Sequence, residues 1–358
     1  MYRNTKNVPY YVFGRGSLAQ LGDLLKPRRE AVDGPVVYFV DHFFRDHELI
    51  GRLPMEKGDQ LHFVDSSSEP EVTRIAAFKE AVSAADSRTP CCVVGIGGGN
   101  ALDTAKAVAN LLTNPGKAED YQGWELVKNP AVYKIGIPTL SGTGSECSRT
   151  CVLTNIPKNL KLGMNSDYTV YDQLLLDPDL LATVPRDQYF YTGIDTFMHC
   201  VESLQGSYRN AIIDAFSVRA VQLCEEIFLS DDMMSEDNRE KMMIASYIGG
   251  MAAGNVGVIH PFSAGLGVVL HVAHGLGNCL ALNVLGDIYP KEYKQFRTMI
   301  ERQGVNLPTG ICKDLTKEQY EGLYRGCIVH EKPLTNALGP DFKQILTREN
   351  LIERYKSI

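Results

Sequence analysis

The sequence lacks three features that would indicate a membrane, nucleic-acid-binding or disulfide-rich protein. No apolar run reaches the roughly 18 residues that a spanning helix needs, so we expect no membrane partner. Acidic residues (43) outnumber basic residues (36), and the net charge of −7 argues against a nucleic-acid partner. The nine cysteines form no Cys-x-x-Cys pair. Since no signal peptide is evident either, we expect reduced thiols and a cytoplasmic location.

Two kinds of hydrophobic pattern divide the chain. Its 358 residues predict about two domains. The first half alternates β-branched runs with helical repeats, which indicates a parallel sheet covered by helices. The predicted strands are Val36–Asp41, Leu61–Asp65, Cys91–Ile96 and Ala131–Ile137, and the predicted helices are Glu71–Ala85 and Asn100–Thr113, with Asn100 as N-cap. The second half shows helical repeats over Ala211–Phe228 and Asn238–Met251. We predict an α/β Rossmann-like domain over residues 1–183 and an all-α domain over residues 184–358.

A run of three glycines, Gly97–Gly99, lies between a predicted strand and a predicted helix. Glycines let backbone N–H groups approach a diphosphate closely, and the start of the helix adds free donors. The spacing matches neither the dinucleotide-binding Gly-x-Gly-x-x-Gly motif nor the P-loop. On the residues alone, an anion-binding turn and a tight turn without a ligand are equally good interpretations.

Two further features follow predicted parallel strands, at the edge where α/β sheets bind ligands. The turn Pro138–Glu146 offers hydroxyls and glycine amides. Asp41 ends the first strong strand, where a carboxylate can accept hydrogen bonds from a ribose diol and repel a 2′-phosphate. This would favour NAD over NADP. A role of Asp41 as a cap or turn residue fits the spacing equally well.

Four side chains have the chemistry of a metal site. Asp195 and His199 are four residues apart and share one face of a predicted helix, with Glu202 near that face as an outer contact. His260 and His274 lie in a glycine-rich apolar segment, where an unpaired imidazole is costly to bury. One carboxylate and three imidazoles suit Zn²⁺ or Fe²⁺. An ordinary helical Asp–His pair is the alternative.

The order of these features resembles that of a known family. GGGNALDTAK, IPTLSGTGSE, DPDLL and GIDTFMHCVES, followed by His260 and His274, resemble motifs of the iron-containing (group III metal-dependent) alcohol dehydrogenases. The similarity runs from about residue 8 to at least residue 285. It implies the two-domain architecture shared with dehydroquinate synthase, NAD and one divalent metal (Zn²⁺ or Fe²⁺) as cofactors, a small-molecule alcohol as substrate, and a homodimer.

The resemblance also implies a role for each matching residue. The metal would be held by Asp195, His199, His260 and His274. The dinucleotide would be bound by Asp41 at the adenosine ribose, by Gly97, Gly98, Gly99, Asn100 and Asp103 at the diphosphate, by Thr139, Leu140, Thr143 and Ser145 at the diphosphate and nicotinamide side, by Lys161 at the nicotinamide ribose, and by Leu180 near the ring.

The chain departs from the family pattern at two places. The serine usual after the triple glycine is Asn100 here, which predicts altered cofactor contacts. The histidine that many members carry four residues after the third metal ligand is Ala264 here, whereas His271 lies three residues before the last ligand. We therefore predict that His271 is the catalytic residue that relays a proton or contacts substrate, with a packed loop histidine as the alternative.

Within the family, one subgroup is especially similar. The runs TGSECSRTCVLTN and YFYTGIDTFMHCVESLQGSY resemble those of 3-deoxy-D-manno-octulosonate (Kdo) 8-oxidases. This implies metal- and NAD-dependent oxidation of the terminal primary hydroxyl of a sugar acid to an aldehyde, in lipopolysaccharide biosynthesis. A sugar-acid carboxylate needs a cation, for which Arg149 and Arg209 are candidates.

Other functions stay open on the sequence alone. A cyclising lyase of the dehydroquinate synthase type shares the architecture, but it has a glutamate in place of the Asp-x-x-x-His pair. A general alkanol or polyol dehydrogenase fits the same motifs. An oxidase would need a flavin or a redox metal, and no flavin motif is evident. A non-catalytic sensor would bind dinucleotide or metal without turnover.

Overall fold

The computed structural model describes residues 6–158 and 160–358, which separate into two compact units. One unit holds the chain up to Leu140 together with Ser145–Thr183, and the other holds Ser141–Gly144 together with Val184–Ile358. All strands of the described chain belong to the first unit, and the second unit is helical. This architecture confirms the predicted fold class.

A parallel sheet of six strands forms the centre of the first unit, beside a smaller sheet of three. The strands in chain order are β1 (Tyr10–Phe13), β2 (Val36–Asp41), β3 (Gln60–Val64), β4 (Cys92–Gly97), β5 (Gly123–Trp124), β6 (Lys134–Pro138), β7 (Thr150–Asn155), β8 (Leu160–Asn165) and β9 (Gln173–Leu176). The large sheet has the order β1-β9-β6-β4-β2-β3. Since β4 pairs in parallel with both β2 and β6, the carboxyl ends of these three strands are neighbours.

Helices cover both faces of the large sheet. They are α1 (Leu21–Ala31), α2 (Val72–Ala85) and α3 (Gly99–Leu111). Alternate residues of β2 enter different cores, as the two-residue period of a strand requires. Val37 and Phe39 pack in the core that includes α2 and α3, whereas Val36 and Tyr38 pack in the core that includes α1. The strand β4 is buried along its whole length, as its continuous apolar run predicts.

The start of α3 differs from the prediction. Gly98 is the N-cap, the helix begins at Gly99, and no side chain caps it, so the prediction of Asn100 as N-cap is wrong. The Asn100 amide instead donates hydrogen bonds to the carbonyl oxygens of Ser66 and Ser68, at 3.3 and 2.8 Å. Its side chain therefore holds the loop after β3 and does not cap the helix that contains it.

The small sheet was not anticipated. β7 and β8 form an antiparallel hairpin in which Thr150 lies opposite Asn165 and Thr154 lies opposite Lys161, and β5 pairs in parallel with β8. Buried and partly exposed residues alternate along β7, which is the pattern of a strand with one covered face.

The second unit is built from helices. They are α4 (Arg186–Gln205), α5 (Ala211–Phe228), α6 (Glu236–Gly249), α7 (Ile259–Leu270), α8 (His274–Val284), α9 (Pro290–Gln303), α10 (Lys317–Ile328), α11 (Glu331–Leu338), α12 (Phe342–Ile345) and α13 (Arg348–Lys356). The bounds of α5 agree with the prediction because its apolar repeat is regular and the Asn210 side chain caps its first turn.

The tetrapeptide Ser141–Gly144 belongs to this helical unit although it lies far from it in sequence. The backbone N–H of Gly142 donates to the Ser246 hydroxyl at 2.7 Å, and the Thr196 hydroxyl donates to the Gly142 carbonyl at 2.9 Å. Gly142 has a φ of +145°, and a Cβ there would lie 1.7 Å from the carbonyl oxygen of Thr192. Only glycine fits this position.

Two properties of the described chain bear on its surroundings. No single helix is long and apolar enough to cross a membrane, although the pair Glu236–Asn255 and Ile259–Leu270, bent by 92°, meets the length and composition criteria together. The nine cysteines are buried and form no disulfide among the residues described.

A substitution at Gly95, in the middle of β4, tests how closely this strand packs against its neighbours just before the glycine run. A Cβ there would lie 2.5 Å from the Tyr171 hydroxyl and 2.8 Å from the Ala105 Cβ. The Tyr171 hydroxyl donates to the Leu102 carbonyl of α3, so it cannot move freely. We expect Gly95→Ala to reduce stability by about 1–3 kcal/mol through overpacking, measured as a lower thermal midpoint. Gly51→Ala, where a Cβ meets nothing within 4 Å, is the control. Equal midpoints for the two variants would contradict this packing.

Candidate metal centre and glycine-rich edge

Three helices of the second unit bring four metal-binding side chains together. Asp195 and His199 lie one turn apart on α4, His260 is the second residue of α7, and His274 is the first residue of α8. One donor atom from each of the four residues lies within 4.8 Å of the others. The structure therefore assembles the predicted donor set from positions up to 79 residues apart.

Glycines allow the start of α8 to approach its neighbours closely. A Cβ on Gly275 would lie 2.6 Å from the Tyr191 carbonyl oxygen on α4, and a Cβ on Gly277 would lie 2.5 Å from the Ser263 hydroxyl on α7. Larger residues at these positions would push α8 away from α4 and α7. Because His274 adjoins Gly275, this packing sets its distance from Asp195.

The Asp195 carboxylate is the centre of the cluster. The Nε2 atoms of His260, His274 and His199 lie 3.1, 3.5 and 3.7 Å from its oxygens. The rings of His199 and His260 stack with centroids 4.5 Å apart. Asp195 and His199 are buried, whereas the His274 side chain is 29% exposed, so His274 is the member that solvent reaches most.

The charges of the cluster follow from its burial and its neighbours. Burial opposes ionisation of Asp195, but the three imidazoles hold the pKa of its carboxyl well below the usual range. Burial lowers the pKa of His199 to about 3, so its imidazole is neutral, as metal binding requires. Burial also opposes a charge on His260, but Glu202 and Asp195 raise its pKa to about 9. A metal ion binding His260 therefore competes with a proton.

A buried hydrogen-bond network orients His260. Glu202 Oε2 lies 2.5 Å from His260 Nδ1, as the predicted outer contact requires. The other carboxylate oxygen of Glu202 accepts from the Ile259 backbone at 2.6 Å and from the Tyr289 hydroxyl at 3.1 Å. A carboxylate on Nδ1 selects the tautomer whose Nε2 lone pair faces the cluster. Sequence reasoning missed Tyr289, which lies just before α9 and shares no motif with the ligands.

Asn278 is a second contact that the sequence did not reveal. Its side-chain amide donates to Asp195 Oδ1 at 2.6 Å and lies 3.3 Å from His274 Nε2. Its position one turn after His274, on the same face of α8, was the only available indication. The bond fixes Oδ1, the oxygen nearest to His199 and His260, and leaves Oδ2 facing His274.

The residues fit a divalent metal ion. One carboxylate and three imidazoles are ligands of Zn²⁺ and Fe²⁺. The second oxygen of Asp195, Oδ2, is buried and accepts no hydrogen bond within the described chain. A buried anionic oxygen without a donor is costly, and a cation between the four donors would satisfy it.

His271 lies apart from this donor set. It ends α7 in the left-handed conformation, with φ 56° and ψ 30°, and it is exposed. Its backbone conformation turns the chain so that α8 begins three residues later, at His274.

In the first unit, three neighbouring strand ends carry the predicted dinucleotide-binding residues. Asp41 ends β2, Gly97 ends β4, and Thr139 and Leu140 follow β6. The backbone N–H of Thr139 donates to the Gly97 carbonyl at 3.0 Å. A Cβ on Gly97, where φ is +150°, would lie 2.9 Å from the Asp41 Cβ, and a Cβ on Gly98 would lie 3.3 Å from Leu140. The glycine run thus passes directly between Asp41 and Leu140.

Asp41 caps the turn that follows it. Its Oδ1 accepts hydrogen bonds from the Phe43 backbone at 3.0 Å and from the Ser66 hydroxyl at 2.9 Å. Asp41 therefore has the turn role that its position in the sequence allowed. Among the residues described, no donor is bonded to its Oδ2, and that oxygen suits a ribose hydroxyl.

Asp103 and Ser145 are joined to each other inside the unit. The Ser145 hydroxyl donates to Asp103 Oδ1, and the Val152 backbone donates to Asp103 Oδ2 at 2.8 Å. Burial raises the pKa of the Asp103 carboxyl. Lys106 donates to the carbonyls of Ser145 and Thr150, at 2.6 and 2.5 Å. Both oxygens of Asp103 thus hold the segment after β6 against α3.

The remaining predicted cofactor residues lie in different surroundings. Lys161, on β8, pairs with Glu69 at 2.9 Å. Leu180 is buried in the core that includes α1. Thr143 belongs to the tetrapeptide that packs with the helical unit.

The two arginines considered for a substrate carboxylate are engaged elsewhere. Arg149 pairs with Glu125 and Asp167, both at 2.6 Å. Arg209 pairs with Asp214 at 2.9 Å. Both arginines therefore form ion pairs within the fold.

Removing one imidazole tests the metal centre. We expect the protein to bind about one Zn²⁺ or Fe²⁺ per chain and to unfold at a higher temperature with metal than after chelation, because the ion binds only the folded site. His260→Ala and His274→Ala leave three donors and should lose most of the metal, measured by elemental analysis, and the metal-dependent shift. His47→Ala, in the first unit, is the control. Unchanged metal content in both ligand variants would exclude this site.

Glu202→Gln tests the orientation of His260. The amide keeps the size of the side chain but removes the charge that fixes the imidazole, so we expect metal affinity to fall by about 10- to 100-fold. Competition with a chromogenic chelator measures the affinity. The control is Glu225→Gln, since Glu225 accepts from Gln295 on the surface of α5, away from the metal ligands. An affinity equal to that of the control would show that Glu202 does not act on the site.

Comparisons with known proteins agree with this geometry. The model of the iron-containing alcohol dehydrogenases matches residues 9–178, and the C-terminal model of the same family matches residues 189–320. Sulfoacetaldehyde reductase of Bilophila wadsworthia (strain 3_1_6) is 38% identical over 190 residues, which are 51% of this chain and 49% of that protein. The chain thus aligns with about half the length of that relative. NAD-dependent methanol dehydrogenase of Bacillus methanolicus is 29% identical over 75% of this chain and 71% of its own length.

Solved structures share the whole fold. Sulfoacetaldehyde reductase from Bifidobacterium kashiwanohense, solved in complex with NAD⁺, has a TM-score of 0.80 and 23% identity, covering 99% of this chain and 98% of its own. An alcohol dehydrogenase from Oenococcus oeni has a TM-score of 0.83 and 21% identity, covering 99% of both chains. With family models matching both units, and with the described donor set and glycine-rich edge in place, the chain belongs to the iron-containing alcohol dehydrogenase family of oxidoreductases.

Proposed function

We propose that this protein interconverts an alcohol and its carbonyl compound by hydride exchange with NAD, assisted by one divalent metal ion. The metal centre carries the proposal, since three imidazole nitrogens lie 3.1–3.7 Å from one buried carboxylate. Asp41 and the glycine run at the sheet edge support NAD as the cofactor. Membership of the family favours this reaction over the cyclising lyase, the flavin oxidase and the sensor.

When bound, the ion supplies a Lewis acid that lowers the pKa of a substrate hydroxyl, and the nicotinamide ring accepts the hydride. Asp195, His199, His260 and His274 would hold the ion. Glu202 and Asn278 hold His260 and Asp195 in the orientation that binding needs. The backbone of Gly97–Gly99 offers donors to the diphosphate, and Asp41 offers Oδ2 to the ribose.

For the substrate, the terminal primary hydroxyl of a sugar acid such as Kdo, in lipopolysaccharide biosynthesis, is our first candidate. Its support is the similarity of the runs that form β7 and α4 to Kdo 8-oxidases. Because Arg149 and Arg209 are held in ion pairs, recognition of the sugar-acid carboxylate does not fall to them in this structure.

A second candidate is reduction of a short sulfonated aldehyde. It is favoured by the 38% identity to the Bilophila wadsworthia sulfoacetaldehyde reductase, over half of the chain. Both candidate substrates carry an anionic group, which lies next to the reacting end in sulfoacetaldehyde and at the opposite end of the molecule in the sugar acid. A general alkanol dehydrogenase, supported by the methanol dehydrogenase relative, would need no anionic group.

Three further expectations stay predictions. They are the catalytic role of His271, the cytoplasmic location and the homodimer. The exposed position of His271 at the end of α7 leaves its imidazole accessible to solvent, as a proton relay requires.

A steady-state comparison of substrates tests the proposal. We expect the metal-loaded protein to reduce NAD with Kdo at a kcat/KM at least about tenfold above that with 1-propanol, because one ionic contact of about 1.4 kcal/mol gives that ratio. Sulfoacetaldehyde with NADH is assayed in parallel, and the nicotinamide absorbance band reports each reaction. His260→Ala gives the background rate. A higher rate with sulfoacetaldehyde would select the second candidate, and a preference for 1-propanol would select the alkanol dehydrogenase. No nicotinamide turnover with any substrate would contradict the proposed reaction itself.

A further inference from the structure

A chain of hydrogen bonds connects Asn100, at the start of α3, to Asp41, at the end of β2. The Asn100 amide donates to the carbonyl oxygens of Ser66 and Ser68, at 3.3 and 2.8 Å. The Ser66 hydroxyl in turn donates to Asp41 Oδ1 at 2.9 Å. The loop Asp65–Ser68 therefore bridges the glycine-rich turn and the carboxylate at the end of the neighbouring strand.

This bridge fixes one oxygen of Asp41 and leaves the other available. Oδ1 receives two hydrogen bonds, from Ser66 and from the Phe43 backbone. Gly97 lies against the Asp41 Cβ, so the carboxylate is held beside the diphosphate-binding backbone. A carboxylate held by two donors loses little rotational freedom when its second oxygen binds a ligand.

We propose that Asn100 is the positioning residue that sets the selectivity of this protein for the 2′-hydroxyl of the adenosine ribose. It acts through the Asp65–Ser68 loop and Ser66 on Asp41. This inference rests on the proposed function, in which Asp41 binds the ribose of NAD. Asn100 thus contributes to the choice of NAD without contacting the 2′ position itself.

The chemistry explains why asparagine serves here. Its amide has two N–H donors in one plane and reaches two carbonyl oxygens at once. A serine, which the family usually carries, has one shorter hydroxyl donor and cannot bridge Ser66 and Ser68 together. The loop also places Asp65 near His42, whose Nδ1 is 3.6 Å from Asp41 and 3.9 Å from Asp65. Asp65 itself is paired with Arg74 at 3.1 Å, so Asp41 carries the charge that opposes a 2′-phosphate.

A ligand pair that differs only at the 2′ position isolates this effect. Calorimetric titration of the full-length protein with ADP and with 2′-deoxy-ADP gives the ratio of the two dissociation constants. We expect wild type to favour ADP by about tenfold, the value of one hydrogen bond to a charged group. Asn100→Ser and Ser66→Ala should each reduce that ratio by about threefold or more. NADP should gain affinity relative to NAD in the same variants.

Asn129→Ser is the matched control. Asn129 also donates one amide hydrogen bond to a carbonyl, that of Thr113 at 3.0 Å, but near the opposite end of α3. The ratio of the dissociation constants of ADP and 2′-deoxy-ADP for Asn129→Ser should equal that of wild type. A ratio unchanged from wild type in Asn100→Ser and Ser66→Ala, even with weaker binding of both ligands, would overturn the inference, since Asn100 would then act on the diphosphate alone. If wild type binds neither ADP nor NAD, the proposed cofactor itself is wrong, and the inference is rejected with it.

Discussion

The buried carboxylate of Asp195 is the constraint around which the helical unit is arranged. A lone charge in an apolar interior is costly unless partners compensate it. Here the compensation comes from three imidazoles and the amide of Asn278, supplied by α4, α7 and α8. His199 stays neutral and His260 is charged in the absence of metal, so one positive imidazole lies between the two carboxylates of Asp195 and Glu202. A divalent ion would add positive charge at the oxygen of Asp195 that no donor of the described chain reaches.

The glycine-rich edge of the large sheet depends on residues without side chains rather than on buried charge. At Gly97 and Gly98 the important property is the absence of a side chain, because a Cβ at either position would meet Asp41 or Leu140. The backbone can then approach a ligand closely. The carboxylate of Asp103, in contrast, accepts hydrogen bonds from Ser145 and Val152 and so holds the segment that follows β6. The metal centre therefore depends on the compensation of a buried charge, whereas the ligand-binding edge of the sheet depends on close approach of the backbone.

Local sequence patterns predicted the elements but not the way they converge. Asp195 and His199 could be placed on one face from their spacing, and α5 from its apolar repeat. The 14-residue spacing from His260 to His274 gives no distance between them, because their proximity depends on the left-handed turn at His271 and on the glycines of α8. Tyr289 and the role of Asn100 were beyond sequence reasoning for the same reason. Their partners, Glu202 and Ser66, are 87 and 34 residues away.

The tetrapeptide Ser141–Gly144 has a consequence for how the protein can be divided. Its backbone is bonded to Ser246 and Thr196, and Gly142 fills a gap against Thr192 that admits no side chain. A truncated protein beginning at Val184 would lack this insert, leaving the Ser246 and Thr196 hydroxyls without those bonds and an open slot beside the helix that carries Asp195 and His199. The helical unit therefore needs Ser141–Gly144 to complete its packing. A designed protein that carries this metal centre would have to include these four residues as well.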